Sequence, residues 1–216
     1  IFESDEAFMA YTYAGDLPSG AFGWTTPSST STATPLAFSL NYVRPSEGFV
    51  GGFGRGFLSR ELLRMGTLEE AVELVTCPGQ AAGHNYQLLG VIDRRVLSIE
   101  AASYNRSSVL GVGVAAQSPS PYFHANEYLH LNNISQSPSP SSVAREERIA
   151  QLPPPESRDD LIEVMGDTTP IENVTIYRMG PPDSVFTIHS VLFDLDAHTA
   201  QIFGGNPKDG NILQEF

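Results

Sequence analysis

Short stretches of alternating apolar and polar residues open the chain. Phe8 to Ala14 (FMAYTYA) reads as a strand, ended by the turn residues of Gly15 to Gly20. Ala21 to Thr25 follows as its hairpin partner. Leu36 to Val43 is the next strand, with Leu36, Phe38 and Leu40 on one side. The period then changes. Phe57, Leu58, Leu62 and Met65 form a helical stripe that Gly66 ends. Thr67 and Glu70 pair as a capping box for a second helix, whose apolar face is Leu68, Ala71, Val72 and Val75. Period two returns in Asn85 to Ile92, Val96 to Ala101 and Val109 to Ala115, and an apolar-polar stretch follows at Tyr122 to Leu131. Val143 to Leu152 and Arg158 to Met165 read as helices split by three prolines, with Ser157 and Asp160 capping the second. Val174 to Arg178, Ser184 to Leu195, Thr199 to Phe203 and Ile212 to Phe216 read as strands, and Asp194 to His198 as a hairpin turn.

Strands, two helices, a block of strands, two helices and more strands do not make βαβ alternation. The order predicts an α+β protein: antiparallel sheet with segregated helices, arranged as two sheets with a helical layer on each outer face. The chain reads as a single domain over residues 1–216, with a low-complexity loop at 135–142 (SQSPSPSS) and no internal repeat.

Composition narrows the function. Twelve Lys and Arg against 25 Asp and Glu give a net charge of −13. That balance argues against nucleic acid, whose phosphates need clustered cations, and against anionic membranes. No apolar run approaches the ~20 residues of a membrane span. The reading is of a soluble protein whose compartment, cytoplasm or organellar lumen, stays open. Cys77 is the single cysteine, so neither a disulfide framework nor a cysteine-rich zinc module is expected. The first residue is Ile1, and nothing near it reads as a signal peptide, which suggests a processed subunit or a fragment.

Most local motifs have plain readings. The glycines of GGFGRG are spaced G-x-G-x-G rather than as a dinucleotide fingerprint, so they read as the lead-in to a helix. His124, Glu127 and His130 would share a face only on a helix; on a strand they alternate and cannot converge on a metal. Cys77 sits at a helix C-terminus, where the field disfavours a thiolate. Asn105, Asn133 and Asn173 head glycosylation acceptor patterns that carry nothing further without a compartment. Asn41, Asn126 and Arg178 stand out more. Each lies in a predicted strand beside large apolar side chains, where an unpaired polar group costs about 1–3 kcal/mol. Ordinary structural hydrogen bonding remains the plain reading of all three.

Several segments in order resemble one family. They are YAGDLPSGAFGW (Tyr13 to Trp24), LAFSLNYVRP ending at Pro45, TLEEAVELV, GHNYQLLGVID with RVLSIEAAS, FHANEYLH, NVTIYR ending at Arg178, and SVLFDLDAHTAQIFGGNP. Together they are similar to the acyl-coenzyme A:6-aminopenicillanic acid acyltransferase-like branch of the Ntn (N-terminal nucleophile) hydrolases, which also holds the β-alanyl-dopamine/carcinine hydrolases. The resemblance implies an αββα sandwich, two antiparallel sheets between helical layers. It implies a precursor that cleaves itself before a cysteine, giving an α-subunit partner and a β-subunit. The cysteine thiolate then attacks an amide or thioester carbonyl, and a thioester acyl-enzyme forms.

Carried over residue by residue, the resemblance puts Asn126 on the oxyanion-hole asparagine of the family's His-x-Asn-His segment, here His124-Ala125-Asn126-Glu127. It puts Arg178 on the arginine expected near the nucleophile, where a cation favours thiolate. Asn41 becomes a second donor to the carbonyl oxygen, and Tyr86 and Phe123 become pocket walls. The family's nucleophilic cysteine and the strand pair after it have no counterpart here, and Cys77 does not align with them. The expectation is therefore a β-subunit piece without its first strands, inactive alone. The whole protein would be an amide hydrolase, or an acyltransferase, for a small N-acyl amine, a β-alanyl amine being one candidate. Water is the default acceptor and no coenzyme A signature is readable, so hydrolysis leads. No cofactor and no metal are implied. A non-catalytic binding or structural member of the fold is the alternative, and a metal protein using His124 and His130 a third reading.

Overall fold

The computed structural model describes residues 6–17, 20–27, 32–113, 121–137 and 139–216. They form, in chain order, β1 (Glu6–Tyr11), β2 (Phe22–Pro27), β3 (Leu36–Tyr42), α1 (Arg55–Leu62), α2 (Leu68–Val75), β4 (His84–Gly90), β5 (Arg95–Ala102) and β6 (Arg106–Val112). Then come α3 (Pro140–Gln151), α4 (Arg158–Met165), β7 (His189–Asp194), β8 (Thr199–Gly204) and β9 (Ile212–Glu215). The class is α+β, with four α-helices and two antiparallel sheets among the described residues. One sheet runs β1 to β6 in sequence order, and the other is β7-β8-β9. The chain divides into two compact units. The first holds β1 to β6, α1, α2 and residues 126–137; the second holds residues 121–125, α3, α4 and β7 to β9.

In the first unit every strand pairs antiparallel with the next in sequence, across a tight turn from β5 to β6 and across the helix pair α1 and α2 from β3 to β4. Tyr104 and Asn105 both take positive φ in the β5–β6 turn, and the Asn105 carboxamide accepts the Gly79 N–H at 3.1 Å. Register then decides which side chains face the helices. Leu36, Phe38, Tyr86, Leu88, Leu97 and Ile99 are cross-strand neighbours on one face. They form one core with Leu62 and Leu63 at the end of α1 and with Leu68, Ala71 and Val75 of α2. Burying each such side chain contributes about 1.5–3 kcal/mol. The helix layer comes close enough that a Cβ on Gly23 would lie 2.7 Å from Phe38 Cε1 and 2.8 Å from Leu63 Cδ2.

Capping fixes the helix starts. Ser157 and Asp160 form the reciprocal box at α4, as expected. At α2 only half of it forms: Thr67 Oγ1 accepts from Glu70 N, but Glu70 reaches back to Gly66 N instead of Thr67 N.

Several expected elements change. The first helix stops at Leu62, with Leu63 as its cap, short of Met65. Residues 140–142, expected in the low-complexity loop, are the first turn of α3, because a proline at the first helical positions is already set to helical φ. Val174 to Arg178 is not a strand. Glu172 and Asn173 take positive φ and turn the chain, so Ile171 and Val174 bond each other. The strand expected from Ser184 begins only at His189. Tyr122 to Leu131 holds no regular element. Parts of three expected features, at 18–19, 114–115 and 138, fall outside the described residues. No helix among the described residues is long and apolar enough to cross a membrane.

Candidate active site

The face of β3 to β6 turned away from the helices becomes polar toward one end. Asn41 stands opposite Asn85, Asn85 opposite Glu100, Gln87 opposite Ser98, and Glu100 opposite Ser108. Asn85, Ser98 and Glu100 are fully buried, so each must be satisfied by the protein. Asn41 Nδ2 donates to Asn85 Oδ1 at 3.4 Å. Asn85 Nδ2 donates to Ser98 Oγ at 3.0 Å, and Gln87 Nε2 donates to both Asn85 Oδ1 and Ser98 Oγ. Glu100 accepts three consecutive backbone N–H groups: Leu129 at 2.6 Å, His130 at 3.0 Å and Leu131 at 2.6 Å. The His130 ring stands between Ser108 Oγ (2.9 Å from Nδ1) and Ser98 Oγ (3.4 Å from Nε2).

These bonds seat the irregular loop that carries Asn126. The Tyr128 hydroxyl donates to Ala101 O at 2.9 Å, and the Gln136 carboxamide brackets the Tyr128 backbone from both sides. Burial, with the Glu100 charge second, pushes the Tyr128 phenol well above its ordinary pKa, so it stays a donor. The hydroxyl fits against Gly83, where a Cβ would lie 1.8 Å from it. Asn126 Nδ2 donates to Tyr42 O at 2.8 Å. Asn41 and Asn126 are 85 positions apart in sequence, yet both come to the C-terminal end of β3. Tyr42 also walls a cavity of about 430 Å³ with Thr12, Tyr13, Leu40, Arg55 and Ser59. The Arg55 guanidinium stands over the Tyr42 ring, 5.0 Å from its centroid.

The other expected residues sit elsewhere. Arg178 is in the second unit and in an irregular segment rather than a strand. Its guanidinium forks onto the Asp183 carboxylate and donates to Ser141 Oγ at 2.6 Å; its backbone N–H donates to Thr187 Oγ1. The Arg178 hydrogen bonds hold the Asp183 carboxyl below its usual range. Phe123 is half-buried in the second unit. Tyr86 exposes no surface: register puts it on the helix-facing side, where its hydroxyl is 2.7 Å from Ser59 Oγ. It is therefore a core residue and offers no pocket wall. Cys77 is half-buried, and burial pushes its thiol pKa up. Among the described residues, no three His, Cys, Asp or Glu side chains gather as a metal cage.

Pattern reading missed the Asn85, Gln87, Ser98, Glu100 and His130 network. Its signal was available: polar residues at every second position of two otherwise apolar strands, NYQLL and VLSIE.

The first unit thus presents a six-stranded antiparallel sheet with helices on one face and a polar cluster on the other. The model of the acyl-coenzyme A:6-aminopenicillanic acid acyl-transferase family matches residues 34–209. That span is most of the chain and includes Asn41, Asn126 and Arg178, and the chain belongs to this family. Among solved structures, the chain is similar to a Caenorhabditis elegans N-acylethanolamine-hydrolyzing acid amidase (NAAA) ortholog. The identity is 12%, over 98% of this chain and 86% of that one, with a TM-score of 0.45. Comparison with curated proteins finds no match.

Proposed function

We propose that this chain is the β-subunit portion of an Ntn-type amidase, with acyl transfer as its variant, acting on a small N-acyl amine. The nucleophile is an N-terminal cysteine outside residues 1–216, and the α-subunit of the same precursor is the partner. The thiolate adds to the amide carbonyl carbon, the C–N bond breaks, the amine leaves with a proton, and a thioester remains. Water or a second amine then takes the acyl group. Asn126 donates to the developing oxyanion. The bond from its Nδ2 to Tyr42 O orients the group. Asn41 is a second donor to the same oxygen.

The family match over residues 34–209 carries this reading. The meeting of Asn41 and Asn126 at one end of β3 supports it. The test uses the full-length protein and a panel of acetyl, hexanoyl and β-alanyl 4-nitroanilides, with release of nitroaniline as the readout. Asn126→Ala should lower kcat by about 10²–10³-fold. An unchanged rate would remove Asn126 from the site. A gene with no Gly-Cys junction upstream of Ile1, and no turnover of any anilide, would leave a non-catalytic binding module.

A further inference from the structure

We propose that Glu100 is the positioning residue of this site, its carboxylate clamping the backbone of Leu129 to Leu131 and thereby setting the Asn126 amide. The inference rests on the reading of Asn126 as the oxyanion donor. Glu100 lies on β5, fully buried. A carboxylate there is a poor choice for sheet stability, because burying it sacrifices hydration that an apolar side chain never had. What compensates is the set of three successive N–H groups at 2.6, 3.0 and 2.6 Å. Hydrogen bonds to an ionised acceptor are short and strong. Successive backbone N–H groups converge on one anion only when the chain curls around it. The carboxylate therefore dictates the shape of the loop.

The rest of that shape comes from side-chain bonds, among them the Gln136 carboxamide on both sides of the Tyr128 backbone, and not from a backbone ladder. Residues 126–131 contain no helix or strand. Further ties to β5 are the Tyr128 hydroxyl on Ala101 O, the residue next to Glu100, and the His130 ring, whose Nε2 is 3.4 Å from Ser98 Oγ. Asn126 is three positions before the first clamped N–H, and its amide must still meet Tyr42 O at 2.8 Å. A displacement of about 1 Å in a catalytic donor is worth on the order of 10²-fold in rate. The His130 ring, with Nδ1 3.8 Å from the Glu100 carboxylate, closes the same side of the clamp.

Glu100→Gln keeps the shape and removes the charge. It also turns an NH₂ toward backbone donors, so at least one bond is lost. In the full-length protein with the 4-nitroanilide panel, kcat should fall about 10–100-fold while KM stays within about threefold. Hydrogen exchange at Leu129, His130 and Leu131 should quicken at least about tenfold, and the Asn126 side-chain amide resonances should shift. Glu100→Asp, with the charge kept but drawn back, should fall between wild type and Glu100→Gln, and it decides the matter if Glu100→Gln does not fold. Loop amides that stay protected would overturn the proposal. So would freed amides with an unchanged kcat, which would make the contact purely structural. If Asn126→Ala is itself silent, the reading of the site fails. Glu100 is then judged by the Asn126 resonances alone: a shift keeps it as the residue that sets this amide, and no shift overturns it.

Discussion

The segments that carry Asn126 and Arg178 are both irregular, yet they are fastened in opposite ways. Around Asn126 the fasteners come from far along the chain. Glu100 is 29 to 31 residues from the amides it holds, and Tyr42 is 84 residues from Asn126. The donors there are neutral, and the acceptors belong to the sheet. Around Arg178 the principal fastener is Asp183, only five residues on, and both partners are charged. The first segment can be only as firm as the sheet beneath it. The second is a local clip, sensitive to protonation.

The largest effect that would break this contrast belongs to Arg178. Its side chain is 12% exposed and that of Asp183 only 6%. Arg178→Ala leaves a buried carboxylate without its cation and should destabilise the protein by about 3–5 kcal/mol in denaturant unfolding. A loss below about 1 kcal/mol would mean that the pair fastens nothing. Next comes acid. Arg178 depresses the Asp183 pKa, and Arg148 does the same for Asp167. A carboxyl depressed in the folded state contributes stability above its unfolded value of about 3.9, and loses it as pH falls through the lower folded value. Stability should therefore decline with acid below about pH 4. Asp183→Asn should flatten that decline, leaving the Asp167 part; an unchanged slope would transfer the effect to other groups. The smallest effect sharpens the other side of the contrast. Tyr128→Phe removes one neutral bond to Ala101 O and should cost about 1 kcal/mol, with faster exchange confined to the loop.

Much of the frame was legible because it rests on local rules. The bounds of α4 follow from Ser157 and Asp160, and the β7–β8 turn follows from Asp194, whose carboxylate accepts the N–H groups of Asp196 and Ala197. The two site segments read as strands because their aromatic and aliphatic residues alternate with polar ones. Their true shapes depend on partners that alternation does not encode. For FHANEYLH the partner is a carboxylate on another strand; for NVTIYR it is a left-handed pair at Glu172 and Asn173 followed by the Asp183 clip. Asn41 and Asn126 stood out as polar groups among apolar neighbours, but only the family resemblance gave them a role, since structural hydrogen bonding explains an asparagine in an apolar strand equally well. Glu100 carried a local sign, a charge in the middle of VLSIEAA, whose meaning lay in a loop 29 residues ahead.

Gly83 gives the seat of that loop an unusual dependence on something absent. The oxygen of Tyr128 occupies the place where any other amino acid at position 83 would carry its first side-chain carbon, and the Pro45 ring crowds the same spot at 2.9 Å. Substitution there is closed by occupancy rather than by backbone angle. Even the smallest replacement would act as a wedge, evicting the phenol and prying the asparagine-bearing loop from the sheet without altering any group that meets a substrate.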